Sequence, residues 1–114
     1  MKKYSIGIDL GGTKILIALV DRNTGEVLEH VKKKTKKDKG PKNIIRKMLE
    51  GIEELIENSG KTFDEISSIG VGAAGQIDRK NGVIIAAANL DCYDLNLKKI
   101  LTEKFDIPVY VGND

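Results

Sequence analysis

Tyr4-Ser5-Ile6-Gly7-Ile8-Asp9-Leu10-Gly11-Gly12-Thr13-Lys14-Ile15-Leu16-Ile17-Ala18-Leu19-Val20 decides how this chain begins to fold. Apolar residues alternate at positions 4, 6, 8 and 10, the two-residue period of a strand with one buried face. Gly11-Gly12 interrupts the pattern, and residues 14–20 predict a second strand, more fully buried. Asp21-Arg22-Asn23-Thr24-Gly25 has the composition of a turn, and residues 26–34 alternate through Val27 and Val31 toward a third strand. Three strands joined by short turns predict an antiparallel meander.

Further along, Gly40-Pro41 breaks the chain ahead of a helix over residues 42–59 that stops at Gly60. Its apolar residues Ile44, Ile45, Met48, Leu49, Ile52, Leu55 and Ile56 recur every three or four positions on one face, and Ile45, Met48, Leu49, Ile52 and Ile56 are expected to be buried against the sheet. Residues 67–74 predict another strand, 75–82 a loop, and 83–87 a short edge strand. A helix over 95–105, capped by Asp94 or Asn96, turns Leu97, Ile100, Leu101 and Phe105 inward. Pro108 to Val111 is a last strand, ending at Gly112-Asn113-Asp114. The fold class is α/β: a mixed five-stranded sheet, strands one to three antiparallel, with the 67–74 and 108–112 strands parallel to the first and helices alongside. No linker or repeat divides residues 1–114, which read as one domain.

Composition narrows the function classes. With 40% hydrophobic and 32% charged residues, the chain has the make-up of a globular domain, and no apolar run reaches the roughly 20 residues that span a bilayer. One cysteine, Cys92, cannot form an internal disulfide, which together with the absence of a signal-like leader predicts a cytoplasmic setting. Residues 32–42 hold seven lysines against one acid, Asp38. Such a run binds a polyanion or is a solvated strand end; no aromatic residue interleaves it, which argues against nucleic acid.

Three constellations carry chemistry. In the first, Asp9 ends a strand, Gly11 and Gly12 let backbone N–H groups approach phosphate oxygens, Thr13 adds a hydroxyl and Lys14 a positive charge. Asp9 is placed to hold Mg²⁺ directly or through water. The competing reading is a plain two-residue hairpin, for which Gly-Gly is a favoured turn. Neither a Walker loop nor a dinucleotide fingerprint is present. In the second, Gly72-Ala73-Ala74-Gly75-Gln76-Ile77-Asp78 leaves room for a ligand near the backbone, or is a strand-to-loop turn. In the third, Asn113-Asp114 follows an apolar strand, where a carboxylate serves as a general base or caps a following helix.

Asp9-Leu10-Gly11-Gly12-Thr13-Lys14 resembles the DxGGTK phosphate motif of the ROK family of repressors and sugar kinases. Val71 to Asp78 resembles its strand-plus-PGxxD element, Ala86-Ala87-Ala88-Asn89-Leu90 its APNL element, and Val109 to Asp114 the strand carrying its Asn-Asp pair. The resemblance runs in register through the whole chain and implies the N-terminal lobe of an actin-like, ribonuclease H-like ATPase fold. It implies an ATP- and Mg²⁺-dependent kinase for glucose or a related hexose, homo-oligomeric at full length. By the same resemblance, Asp9, Gly11, Gly12, Thr13 and Lys14 line the ATP-phosphate and metal site. Gly75, Asn89 and Asn113 lie by the sugar, and Asp114 is the catalytic base. Ala74 and Ala88 stand where the family has proline, which bears on which sugar is taken.

The family's Glu-x-Gly-His motif, zinc cluster and adenine pocket have no counterpart in this sequence; His30 sits in a charged strand and Cys92 has no partner ligands. The expectation is therefore a fragment that phosphorylates no sugar on its own. Two other readings stay open: the sugar-sensing domain of a ROK repressor, and an actin-like ATPase without sugar chemistry.

Overall fold

A computed structural model describes residues 2–114. Strands β1 (Tyr4–Leu10), β2 (Lys14–Asp21) and β3 (Val27–Lys34) form the expected meander. Helix α1 (Pro41–Ser59) follows, with Pro41 in its first turn, where a missing N–H leaves no bond unmade. Strand β4 (Ile66–Ala73) returns beside β1. Then come β5 (Gln76–Asp78), β6 (Val83–Ala87), β7 (Cys92–Asn96), helix α2 (Leu97–Phe105) and β8 (Val109–Asn113).

The main sheet has the order β3-β2-β1-β4-β8. β1–β2 and β2–β3 pair antiparallel, β1–β4 and β4–β8 parallel. This is the mixed five-stranded sheet expected from the sequence. The C-terminal ends of β1, β4 and β8 consequently lie along one edge, the edge at which open α/β sheets bind ligands. Asp9, Ala73 and Asn113 are joined there by the register, Asp9 opposite Gly72 and Ala73 opposite Asn113.

Sequence periodicity missed a second sheet. Residues 76–78, expected in a loop, and 92–96, expected ahead of and at the start of the 95–105 helix, pair with β6 in an antiparallel order β5-β6-β7, so α2 begins only at Leu97. Residues 83–87 are therefore its central strand and not an isolated edge. β5 is too short for a visible alternation, and β7 runs Cys92-Tyr93-Asp94-Leu95-Asn96, whose polar residues read as a cap. The cap itself is Asn96, whose side chain accepts from the Lys99 N–H at 3.1 Å. Asp94 instead lies within the strand, with a left-handed backbone.

One face of the main sheet is covered. Ile6, Ile8 and Leu10 of β1, Ile15, Ile17 and Leu19 of β2, and Val71 and Val111 beyond them are buried with α1 and α2. Each such side chain contributes roughly 1.5–3 kcal/mol on leaving water. Helix α1 buries Met48, Ile52 and Ile56 as expected, but Ile44 and Leu55 are fully covered whereas Ile45 and Leu49 are only half-buried. The helix is rotated slightly so that Gly51 faces Ile17 without a side chain between them. Leu97 and Leu101 anchor α2, and Phe105 stacks on Phe63 with ring centroids 5.2 Å apart.

The other face is open. It carries Gly7 and Asp9, Lys14, Leu16 and Ala18, His30, Lys32 and Lys34, and Gly70 and Gly72, none of them buried. An ideal Cβ built on Gly7 or Gly70 meets nothing within 4 Å. Among the described residues, no helix is long and apolar enough to cross a membrane.

Candidate functional site

Two carboxylates meet at the ligand edge. Asp9 leaves the end of β1 on the open face, and Asp114 follows β8 two strands away. The Asp114 N–H donates to the Ala73 carbonyl at 3.2 Å, so the last residue is held to β4. Its side chain then crosses Gly72 toward Asp9. A Cβ at position 72 would fall on the Asp114 carboxylate, so only glycine leaves that path open. Burial, followed by the charge of Asp9 and a hydrogen bond with it, pushes the Asp114 carboxyl above the ordinary carboxylate range. The two acids border a shallow depression of about 290 Å³ lined by Gly7, Ile8, Asp9, Leu16, Ala18 and Asp114.

Adjacent residues on a strand point to opposite faces. Asn113 accordingly turns away from Asp114 and donates its side-chain N–H to the Gly75 carbonyl at 2.7 Å. Gly75 adopts φ 127°, beyond the reach of an ordinary side chain, and a Cβ there would collide with the backbone of Ala86 and Ala87. The sequence-predicted pair thus splits: Asp114 joins Asp9, and Asn113 joins Gly75.

The Gly11-Gly12 turn is not glycine-rich for the reason a hairpin is. Neither residue has a left-handed backbone, which the favoured two-residue hairpin turns require. Closeness is the reason instead. A Cβ on Gly12 would stand 2.8 Å from the backbone oxygen of Asn89, and one on Gly11 2.9 Å from that of Lys14. Gly12 therefore brings the Asn89 loop against the turn, joining the phosphate-like and sugar-like motifs. The Gly11 N–H is spent closing the turn onto the Lys14 carbonyl at 3.0 Å. Among the described residues, no backbone carbonyl accepts from the Gly12 or Thr13 N–H groups. Thr13 and Lys14 are exposed beside them.

Thr35 escaped the sequence reading. It is the one buried polar residue among the described residues and ties the end of β3 to the turn. Its hydroxyl donates to the Gly11 carbonyl at 2.6 Å and its N–H to the Thr13 carbonyl at 2.9 Å. The signal available was faint: a lone threonine within a lysine run.

Oxygen donors of this kind suit a hard cation. Mg²⁺ takes one or two carboxylates and fills its remaining positions with water and phosphate oxygens, and Asp9 beside Asp114 offers two carboxylates whose mutual repulsion a cation would relieve. Among the described residues, no cluster of three or more histidine, cysteine or acidic residues forms a closed metal site.

A family model described as "ROK family" matches residues 5–114. The chain is 34% identical to a xylose repressor of Caldicellulosiruptor bescii over 111 residues, covering 96% of this chain and 27% of that protein. It is 32% identical to a glucokinase of Thermotoga maritima over 110 residues, covering 96% and 33%. Its fold matches the crystal structure of a ROK family glucokinase from Streptomyces griseus in complex with glucose and AMPPNP, with TM-score 0.83 and 30% identity, over 96% of this chain and 33% of that one. The chain spans about a third or less of the length of these relatives.

Proposed function

The chain belongs to the ROK family, and from that premise we propose that residues 1–114 form the N-terminal, phosphate-binding lobe of an ATP-dependent sugar kinase. The reaction is transfer of the ATP γ-phosphoryl group to a hexose hydroxyl, with glucose the first substrate to try. The observation that carries this reading is the convergence of Asp9 and Asp114 over Gly72, beside a turn whose Gly12 and Thr13 N–H groups have no acceptor among the described residues. The glucokinase relatives support it, one of them solved with glucose and an ATP analogue.

Each residue has a task. The Gly12 and Thr13 N–H groups, kept accessible because Gly12 has no side chain, hold phosphate oxygens, and Lys14 offsets their charge. Asn113, braced on Gly75, and Asn89, lodged against Gly12, orient the sugar. Asp114 takes the proton from the attacking hydroxyl; its raised pKa brings its basicity nearer to working pH. Asp9 would hold Mg²⁺, which when bound neutralises charge on the transferring phosphate. Catalysis here is positioning and charge compensation, with no covalent intermediate on the protein. The buried free thiol of Cys92 suits a reducing cytoplasm.

Similarity to the xylose repressor favours a second reading, in which the same lobe binds a sugar without transferring phosphate. A sensor has no use for an acid pair beside an open phosphate turn, and that pair is why the kinase is preferred. A coupled assay on the full-length gene product, with ATP, Mg²⁺ and a panel of hexoses, decides between them. Turnover with a hexose is expected; calorimetric sugar binding without turnover would establish the sensor instead.

A further inference from the structure

Glycines clear one row across the open face at its ligand edge, and charged side chains from elsewhere lie down on them. Asp9 stands opposite Gly72, and Gly72 opposite Gly112, in the parallel registers of β1–β4 and β4–β8. Gly112 follows exposed Tyr110 and buried Val111, so alternation turns it to the open face beside Gly72. The Asp114 carboxylate occupies the space that a Cβ on Gly72 would take. The space over Gly112 belongs to Arg79: a Cβ there would meet one neighbour within 4 Å, the Arg79 Nε at 3.7 Å. Neighbouring strands lie about 4.8 Å apart. Over the successive strands β1, β4 and β8 the row therefore reads carboxylate, carboxylate, guanidinium.

Arg79 reaches this row from outside the main sheet. It follows β5, whose start is fixed to β8 by the Asn113 side chain on the Gly75 carbonyl. No acid neutralises it: the ion pairs among the described residues join Lys33 to Glu54, Arg46 to Glu50 and Lys104 to Glu53. The adjacent acid, Asp78, is engaged elsewhere, accepting from the Asn81 N–H at 3.2 Å and the Asn81 side-chain amide at 2.9 Å. A surface arginine without an acid partner keeps its stem on the protein and its head in water. Arg79 instead brings its head group down on a bare strand, on the side of the acid pair away from Lys14.

We propose that Arg79 is a further catalytic residue, whose guanidinium grips oxygens of the transferring γ-phosphoryl group from the β8 side, opposite Lys14. This role rests on the kinase reading. In the transfer, the bond between the γ-phosphorus and its bridging oxygen to the β-phosphate breaks, and the phosphorus bonds to the sugar hydroxyl oxygen. The hydroxyl proton goes to Asp114, and ADP leaves. A phosphoryl group arriving beside two carboxylates is repelled by both, and cations at the turn alone would hold it back from the sugar. A planar fork of N–H donors on the sugar side matches the oxygens of the group as it passes from donor to acceptor. Bare Gly72 and Gly112 leave the guanidinium a floor along which to move toward Asp114.

The test is steady-state kinetics of the full-length gene product with ATP, Mg²⁺ and a hexose panel, repeated on Arg79→Ala and Arg79→Lys once circular dichroism confirms their fold. Turnover is expected from the unsubstituted protein. Arg79→Ala should lose roughly 10²–10³-fold in kcat, the scale of one lost donor to charge that develops in the transition state, with the KM values for ATP and sugar unchanged. Arg79→Lys keeps the charge without the fork and should fall in between. Free guanidinium at about 10–50 mM, far below the molar range that unfolds domains, should restore part of the Arg79→Ala kcat and none of that lost in Asp114→Asn. A purely structural arginine would show no such rescue. Full kcat in Arg79→Ala overturns the proposal and leaves the kinase reading standing. No turnover from the unsubstituted protein with any hexose overturns the kinase reading and this role with it. A loss in Arg79→Ala that guanidinium does not restore makes Arg79 a structural support, which also overturns the proposal.

Discussion

The two faces of the five-stranded sheet are built on opposite principles. The covered face is filled: Ile6, Leu10, Ile15, Ile17 and Leu19 are at most 1% exposed and packed beneath the helices. The open face is emptied: Gly7, Ala18, Gly70 and Gly72 remove side chains from its middle, and charged groups gather at its ligand edge. The same strands serve both, because alternate residues face opposite ways. On the proposed function, stability resides on one side and chemistry on the other, and substitutions on the two sides should fail differently.

The largest effect is expected from Asp114→Asn on the open face. In the full-length protein it should retain sugar binding and lose ~10²–10⁴-fold in turnover, the scale of a lost general base. Sugar calorimetry beside turnover checks it; unchanged turnover would move the base elsewhere. The carboxyl also has a pH signature. Its folded pKa is raised, so it withdraws stability as pH climbs from the unfolded value through the raised one. The chain should gain relative stability on acidification through that window, and Asp114→Asn should remove the slope. Asp9→Asn should bring the Asp114 titration, followed by NMR, part of the way down, because burial persists when the neighbouring charge is gone.

On the covered face, Ile17→Ala should cost about 2–5 kcal/mol, the usual penalty for emptying a buried aliphatic site. The lower part of that range is expected, because Gly51 already lies over Ile17 and lets α1 settle inward. Denaturant unfolding of the 114-residue chain reads it directly. A cost near zero would mean that the covered face is looser than its burial indicates.

The covered face was legible in sequence for a simple reason: alternation at 4, 6, 8 and 10, and helical spacing in 42–59, are the direct imprint of a buried side. The periodicity could not rank neighbours on one face: it put both Ile44 and Ile45 there, and α1 buries Ile44 fully while Ile45 is only half-buried. The small β5-β6-β7 sheet was invisible because three-residue β5 has no period and Asp94 resembles a cap. At the candidate site the motif residues were legible, but their grouping was not. Adjacent Asn113 and Asp114 read as a pair until strand alternation sends one to Gly75 and the other to Asp9. Gly11-Gly12 read as a phosphate clamp or a hairpin turn, whereas the close approaches that demand glycine are the Lys14 carbonyl at Gly11 and, at Gly12, Asn89, which lies far along the chain.

Thr35 joins the core to the site, and its substitution should be felt in both. Thr35→Val keeps the shape but strips the Gly11 carbonyl of its hydroxyl donor. A loss of about 1–2 kcal/mol is expected, because the turn is near enough to solvent for water to replace part of the bond. In the full-length protein the ATP KM should rise as the turn loosens. A stability loss with unaltered ATP kinetics would confine Thr35 to the core.

The smallest effect separates the two faces most sharply, because it concerns two glycines on the same strand and the same face. Nothing lies within 4 Å of a Cβ at Gly70, whereas one at Gly72 falls on the Asp114 carboxylate. Glycine inside a strand costs roughly 0.5–1 kcal/mol relative to alanine, through the freedom it loses on folding. Gly70→Ala should therefore stabilise the 114-residue chain by about that amount, raising its unfolding midpoint by about 2–6 °C. Gly72→Ala should forfeit the gain by displacing Asp114, and in the full-length protein it should depress turnover while Gly70→Ala does not. Thermal unfolding of both variants in the 114-residue chain is the measurement. A lower midpoint for Gly70→Ala would mean that the open face is packed against something, and the contrast between a filled and an emptied face would fail. A midpoint that rises in the 114-residue chain but falls in the full-length protein would show that another segment settles onto this face and requires its glycines to be bare.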